Sequence, residues 1–352
     1  MATFTPGLRR PRRRKPASAF ADATADRSAR QGAPAKAKSA KAQRTVGVVG
    51  LGIMGSAMAA NLVRSGFRVT GYDVVPKARQ QLRRAGGTPA GDCAGVARDA
   101  AIIICSLPSS DALLGVALEL AAGPGVGVPR RSGGAAKAGP RIQRLIIIET
   151  STLPIAVKEE ARAILATRGA VLLDCPLSGT GSQARPKDLA VYASGDRAAY
   201  RHAIPVLEGF ARAHYYVGPF GAGSKMKFAA NLLVAIHKVA AAEAMVLAMK
   251  AGLDPALTLK VLGDGGGSSR MLQVRGPMMV RGDYGSDVTM KLDVWRKDMS
   301  VIAAFAKAVG VATPLFSATA PIYAAATAAN PNEDTGAVCA ILEAMAHYRR
   351  PL

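Results

Sequence analysis

The chain has 352 residues, 49% hydrophobic and only 5% aromatic, and carries a net charge of +22. That length predicts about two domains with ample material for their cores. The four cysteines (Cys93, Cys105, Cys175 and Cys339) form no C-x-x-C pair and the four histidines no H-x-x-x-H pattern, which excludes a disulfide scaffold and argues against a metal site. The thiols read as those of a reduced, cytoplasmic protein.

Residues 1–44 hold 12 Lys/Arg against 2 Asp/Glu, and include RRPRRRK at 9–15. Such an arm resembles a polyanion-binding or nuclear-import patch, or an acid-poor transit peptide. Its composition cannot build a core, so a disordered extension is expected. Residues 122–144 add five basic and no acidic side chains. The excess charge therefore sits mostly in two Gly/Pro/Ala-rich segments, which disfavours nucleic acid as a partner.

From Thr45 onward short β-rich runs alternate with amphipathic stretches. Val46–Val49, Arg68–Tyr72, Ala101–Cys105, Leu145–Glu149, Val171–Asp174 and Leu189–Ala193 are predicted strands, and 55–65, 76–85, 155–168 and 197–208 are helix-like. Near-continuous Val/Ile/Leu strands separated by helices predict a mostly parallel, doubly wound sheet. The segment 122–144 breaks this rhythm and reads as an inserted surface loop. Past residue 218 the strand pattern stops, and 222–252, 254–263, 290–309, 313–329 and 335–347 are helix-like. The expected division is an arm at 1–44, a nucleotide-binding domain at 45–217 and an all-helical domain for substrate and dimerisation at 218–352. The longest apolar stretch, 229–252, is interrupted by His237, Lys238, Glu243 and Lys250, so it reads as a buried helix and no membrane is expected.

Strand, then G-x-G-x-x-G, then helix is the dinucleotide fingerprint of a Rossmann-type domain, and VGVVGLGIMGSAMAANL at 46–62 has all three parts. Gly50 permits the tight turn, Gly52 the approach of a pyrophosphate, and Gly55 the packing of helix on strand. Leu51, Ile53 and Met54 complete the cofactor loop. Asp73 stands 21 residues after Gly52, at the end of the next strand. A carboxylate there accepts hydrogen bonds from the adenosine ribose and repels a 2′-phosphate, so NAD is favoured over NADP, although Lys77 and Arg79 are near.

Four motifs together resemble the β-hydroxyacid dehydrogenase family, of the 3-hydroxyisobutyrate dehydrogenase-like kind. They are GLGIMGSAMAANL, then DCPLSGTGSQA (174–184), GAGSKMKFAANLL (221–233) and KDMSVIAAFAKAVGVATP from Lys297. The resemblance spans 45 to about 347. It implies a Rossmann-type sheet domain followed by an all-α domain joined through a long interdomain helix, assembled as a homodimer or homotetramer. It also implies hydride transfer between a nicotinamide and a small hydroxy acid (3-hydroxyisobutyrate-, tartronate semialdehyde- or threonate-like).

The same resemblance makes Lys227 the general acid/base and Asn231 a substrate-holding residue. The two are four apart and share one helix face, and a lysine on an apolar cleft wall loses solvation and acidifies. Ser178, Gly179 and Thr180 form a small-residue turn able to grip a carboxylate. Thr180 departs from the glycine usual there, adding bulk and a hydroxyl beside the substrate. Leu107 and Pro108 in SLPSS (106–110), Thr152 in ETSTLP (149–154) and Lys297 are implied cofactor contacts. Glu149 replaces the family's usual aspartate, and Asp298 is expected to pair structurally or cap its helix. Two alternatives stand beside this reading: an imine reductase of the same fold, whose relatives typically lack the lysine, and a non-catalytic scaffold that binds nucleic acid through the basic arm.

Overall fold

Thr45–Val49 forms strand β1, with its last four residues buried. In the computed structural model, which describes residues 44–123 and 144–350, it leads through the glycine loop into α1 (Ile53–Arg64). Then follow β2 (Arg68–Tyr72), α2 (Pro76–Arg84), β3 (Thr88–Pro89), α3 (Cys93–Asp99), β4 (Ile102–Cys105), α4 (Ser110–Ala122) and β5 (Ile146–Glu149). The sheet half ends with α5 (Ile155–Ala166), β6 (Val171–Asp174), β7 (Leu177–Ser178), α6 (Gly181–Ala184), β8 (Ala190–Ser194), α7 (Arg197–Phe210) and β9 (Ala213–Gly218). The expectations for the arm and for most of the 122–144 loop lie outside the described residues.

The strand order is β3-β2-β1-β4-β5-β6-β8, with β7 and β9 also paired to β8. Pairing is parallel from β3 through β6. At β8 the direction reverses, since β8 runs antiparallel to β6 and β7 while β9 runs parallel to β8. Side chains alternate between the two faces. Val48, Ile104, Ile148 and Leu173 pack towards α1 and α7, whereas Val49, Ile103, Ile147 and Leu172 pack towards α3, α4 and α5. Both faces are thus covered, as a doubly wound sheet requires.

Beyond β9 the chain is helical: α8 (Ala222–Lys250), α9 (Pro255–Asp264), α10 (Arg270–Arg281), α11 (Leu292–Ala308), α12 (Pro314–Ala329) and α13 (Val338–Met345). The C-terminal helix expected at 335–347 divides into a 3₁₀ turn at Thr335–Ala337 and α13. The 29 residues of α8 span about 43 Å at 1.5 Å per residue. Among the described residues it is the one helix long and apolar enough to cross a bilayer, and half of its most apolar window is buried within the protein. Its alanines and methionines, including Ala235, Ala242, Met245 and Met249, form a core with Leu272, Trp295, Phe316 and Val338 from the surrounding helices. The start of α8 abuts the sheet closely: a Cβ on Gly223 would stand 2.4 Å from the Tyr192 carbonyl oxygen and 2.6 Å from that of Asp174.

Candidate active site

The glycine loop separates three demands. Gly50 has φ +86°, and a Cβ there would lie 2.2 Å from the Ser106 carbonyl oxygen. A Cβ on Gly55 would lie 1.8 Å from the carbonyl oxygen of Gly50. Gly52 has nothing within 4 Å of its would-be Cβ. It is the N-cap of α1 and supplies no side chain to the helix's first N–H groups. An open space facing unpaired helix N–H groups suits a pyrophosphate, so the residues present fit a dinucleotide. Leu51 and Met54 turn into the core, whereas the Ile53 side chain is exposed. Ile53 also meets the second loop of the site, since a Cβ on Gly181 would come within 2.4 Å of it.

Asp73 closes the loop from β2. Its Oδ2 accepts the Leu51 N–H at 2.6 Å and its Oδ1 the Val75 N–H at 2.8 Å. The Arg79 guanidinium donates to the Asp73 carbonyl oxygen and lies over the Tyr72 ring. The carboxylate therefore stands at the end of β2 beside the glycine loop, with a guanidinium close by.

Two further loops flank the glycine loop. The Leu107 N–H donates to Ser151 Oγ at 2.8 Å, and the Thr150 hydroxyl to the Cys105 carbonyl oxygen at 2.7 Å. Leu107 is half-buried and Pro108 exposed. Lys297, on α11, donates from Nζ to the Thr152 carbonyl oxygen at 2.9 Å. The structure thus joins Thr152 and Lys297, 145 residues apart in sequence, and draws the helical part onto the β5 loop.

Lys227 and Asn231 both lie on the buried face of α8. Lys227 is 9% exposed. Burial pushes its pKa below the ordinary lysine value; nearby Asp298 opposes this and Lys297 adds to it. Asn231 Nδ2 donates to Asp298 Oδ2 at 3.0 Å, and Lys297 Nζ stands 3.8 Å from Asp298 Oδ1. Burial raises the Asp298 carboxyl while the lysines Lys227, Lys297 and Lys238 pull it back down. Lys225, two residues before Lys227, is exposed.

In the 178–180 turn, Gly179 takes φ +128°. Thr180 caps the short α6 in a reciprocal box with Gln183, and its Oγ1 lies 2.9 Å from Ser182 Oγ. The Thr180 hydroxyl thus also helps to hold the turn. Ser178 is half-buried at the end of β7.

Two further buried lysines are assigned no role by the sequence. Lys158 on α5 is fully buried, with Nζ 2.6 Å from Glu149 Oε2, 2.8 Å from Asp174 Oδ1 and 2.7 Å from the Ser151 carbonyl oxygen. Glu149 and Asp174 are register partners at the ends of adjacent strands. The available signal was two strand-end acids together with a lysine on the apolar stripe Lys158–Ala161–Leu165. Lys238 stands on the buried face of α8 with Nζ 3.9 Å from the Trp295 ring centroid. Among the described residues, no group of three or more His, Cys, Asp or Glu side chains could hold a metal ion.

Residues 45–218 match the family profile for the NAD-binding domain of 6-phosphogluconate dehydrogenase, and 221–342 the profile for the NAD-binding part of NADP-dependent 3-hydroxyisobutyrate dehydrogenase. The chain is 31% identical to an L-threonate dehydrogenase of Cupriavidus necator over 85% of its own length and 96% of that protein's. It is 30% identical to a 3-hydroxyisobutyrate dehydrogenase of Pseudomonas aeruginosa, over 77% and 88%. A crystal structure of 3-hydroxyisobutyrate dehydrogenase from Salmonella typhimurium superposes with a TM-score of 0.72 at 29% identity, covering 85% of this chain and all of that one. With both halves matched in order and the likeness running nearly the full length of these proteins, the chain belongs to the β-hydroxyacid dehydrogenase family of NAD(P)-dependent oxidoreductases.

Proposed function

We propose that the protein is an NAD-preferring dehydrogenase of a small hydroxy acid in which Lys227 carries the proton. The observation that carries this reading is the desolvated amine of Lys227 beside Asn231 and Asp298, at the place where Lys297 reaches across to the Thr152 loop. Bound NAD supplies the hydride acceptor for oxidation of the substrate carbinol. Lys227, acidified by burial, takes the hydroxyl proton in that direction and returns it to the carbonyl oxygen in the other. Thr152, Leu107 and Pro108 lie on the two loops beside the glycine loop and support a role in seating the nicotinamide end. The Ser178–Gly179 turn and Asn231 orient the substrate carboxylate, with Thr180 shaping that turn from its capping position.

Asp73 favours NAD, since its carboxylate accepts ribose hydroxyls and repels a 2′-phosphate. Among substrates, L-threonate and 3-hydroxyisobutyrate come first, on the names of the two relatives. The test is initial-rate oxidation of a panel of C3–C5 hydroxy acids, these two included, with NAD and with NADP. NADH formation with at least one acid, faster than NADPH formation, is expected; no turnover with any C3–C5 hydroxy acid would remove the reading.

The chain also reads as a homodimer or homotetramer. Leu247 and Met345, 74% and 63% exposed, line one apolar groove with Val246, Ala251, Leu342 and Ala346. Sedimentation of the purified protein tests this.

A further inference from the structure

A buried ammonium without partners is costly. Lys158 donates to Asp174 Oδ1 on β6 and to the Ser151 carbonyl oxygen in the loop after β5, and it ion-pairs with Glu149 Oε2 on β5. One ammonium against two carboxylates leaves a negative surplus, and backbone and hydroxyl donors meet it. On one side Glu149 Oε1 accepts the Ser151 N–H at 2.8 Å. On the other, Asp174 Oδ2 accepts the Ser224 N–H and Oδ1 the Ser224 hydroxyl, each at 2.8 Å. The Ser194 hydroxyl, bonded to Asp174, accepts the Gly223 N–H at 2.9 Å.

These contacts supply what α8 lacks. Its N-cap, Gly221, is left-handed and has no side chain with which to cap the helix. Asp174 and Ser194 cap it from the sheet instead, and a carboxylate at a helix N-terminus is further favoured by the helix dipole. The network has two arms that meet at the Lys158 ammonium. One reaches the Leu107 N–H through Ser151 Oγ. The other ends on Ser224, which lies three residues before Lys227 on the same helix face.

We propose that Lys158 is a positioning residue for the reaction: its ammonium locks the 149–152 loop and the first turn of α8 into one frame, and so fixes the Lys227 amine relative to the Leu107 and Thr152 loops. The inference rests on the reading of Lys227 as the proton-carrying group. The stripe on α5 continues with Ala161 and Leu165, so an apolar side chain at 158 would satisfy packing. What an apolar side chain would not do is bond both arms. Misplacing a reacting group by about 1 Å costs on the order of 10²-fold in rate.

The test uses the full chain with NAD and either L-threonate or 3-hydroxyisobutyrate. Lys158→Met removes the node. Lys158→Met with Glu149→Gln removes one positive and one negative charge together, leaving the buried balance as it was. In the double variant kcat should fall about 10- to 100-fold with the KM for NAD little changed. The limb of the pH profile set by Lys227 should move to higher pH, because water admitted at a loosened helix start relieves the desolvation that acidifies the amine. Amide hydrogen exchange should quicken over 222–228 and stay as in the wild type over 235–246. Folded variants with wild-type kcat, pH profile and exchange would overturn the proposal. Should neither variant fold, Ser224→Ala cuts the arm to α8 with the three-way ion pair intact. It should show the same changes in smaller measure, and wild-type behaviour there would equally overturn it. Failure of the Lys227 reading looks different: Lys227→Met would keep wild-type turnover while exchange over 222–228 still responds to Lys158.

Discussion

Lys227, Lys158 and Lys238 are all buried, and their surroundings give them three chemistries. Burial penalises each ammonium. Lys158 is compensated beyond that penalty by Glu149 and Asp174, so its pKa ends above the ordinary value. Lys227 is compensated in part by Asp298 and ends below it. Lys238 has an aromatic face in place of a contacting carboxylate. Burial and the Arg275 guanidinium depress it well below 10.5, against the weaker pull of Asp334 and Asp298, while Lys227 lowers it further. Lys227→Met should therefore cut kcat by about 10²–10⁴-fold while NAD still binds in a fluorescence titration. Lys225→Met, on the exposed face, should cost little, and equal losses in the two would remove Lys227 from its role.

Lys238→Met replaces a poorly compensated ion by an apolar side chain of similar length. Unfolding free energy at pH 7 is expected to stay the same or rise, by up to about 2 kcal/mol. Because the folded pKa lies below the unfolded one, the folded wild type binds fewer protons between those two values. Its stability relative to the variant should then climb with pH within that window, by at most about 1.4 kcal/mol per pH unit, and level off above 10.5. Urea unfolding of both proteins across pH would show it; a variant more than 2 kcal/mol less stable at pH 7 would contradict it. Of the three lysines, only the burial of Lys227 was expected from the sequence, which places it on an apolar cleft wall within a motif of fixed spacing. Lys158 and Lys238 occupy positions where helical periodicity asks for an apolar residue, and burial of a charge is visible only once its partners are folded against it.

Elements were legible where their residues repeat a strong local pattern. β2 and β6 run as read, Arg68–Tyr72 and Val171–Asp174. β3 and β7 have two residues each, too few for any periodicity. β9, AHYYVG, is only partly buried and shows no apolar run. α10 carries Gly276 and Pro277 in its interior, which mask the helical pattern, while α3 and α4 announce themselves chiefly by the caps Asp92 and Ser109. The strand–glycine loop–helix geometry was legible, and two of its glycines should fail differently. Gly52→Ala puts a Cβ into open space at φ −64°, so it should melt like the wild type and yet lose NAD affinity. Gly50→Ala must fit a Cβ against the Ser106 carbonyl at a positive φ and should lose stability as well. Thermal melts beside NAD titrations separate the two; normal NAD binding by Gly52→Ala would mean that the pyrophosphate does not lie there. At the other end of the loop, Asp73→Ser removes a charged acceptor worth roughly 1.5–3 kcal/mol. NAD should weaken about ten- to hundred-fold and NADP should gain relative to it; a wild type that prefers NADP would overturn this.

At the scale of the whole molecule, the succession of a doubly wound sheet and a helical bundle could be read from where the Val/Ile/Leu strands stop. The reversal at β8 could not, because strand direction is set by how β8 packs back along β6 and β7 rather than by its own composition. Nor could the outer face of the bundle be read, since α8 is rich in apolar residues around its whole circumference. Its inner side fills the core, and yet Leu247 remains 74% exposed beside Met345 at 63%. Charged neighbours, Glu243 and Lys250, rim the same groove. A contiguous apolar surface with a polar rim is the usual form of a protein interface, and burying a leucine there is worth about 1.5–3 kcal/mol. In a symmetric dimer a single substitution acts twice. If the proposed dimer or tetramer forms through this face, Leu247→Glu should shift it towards smaller species in sedimentation at micromolar concentration, while circular dichroism stays unchanged because the side chain contributes little to its own core. A monomeric wild type, or an assembly that ignores Leu247→Glu, would place the contact surface elsewhere.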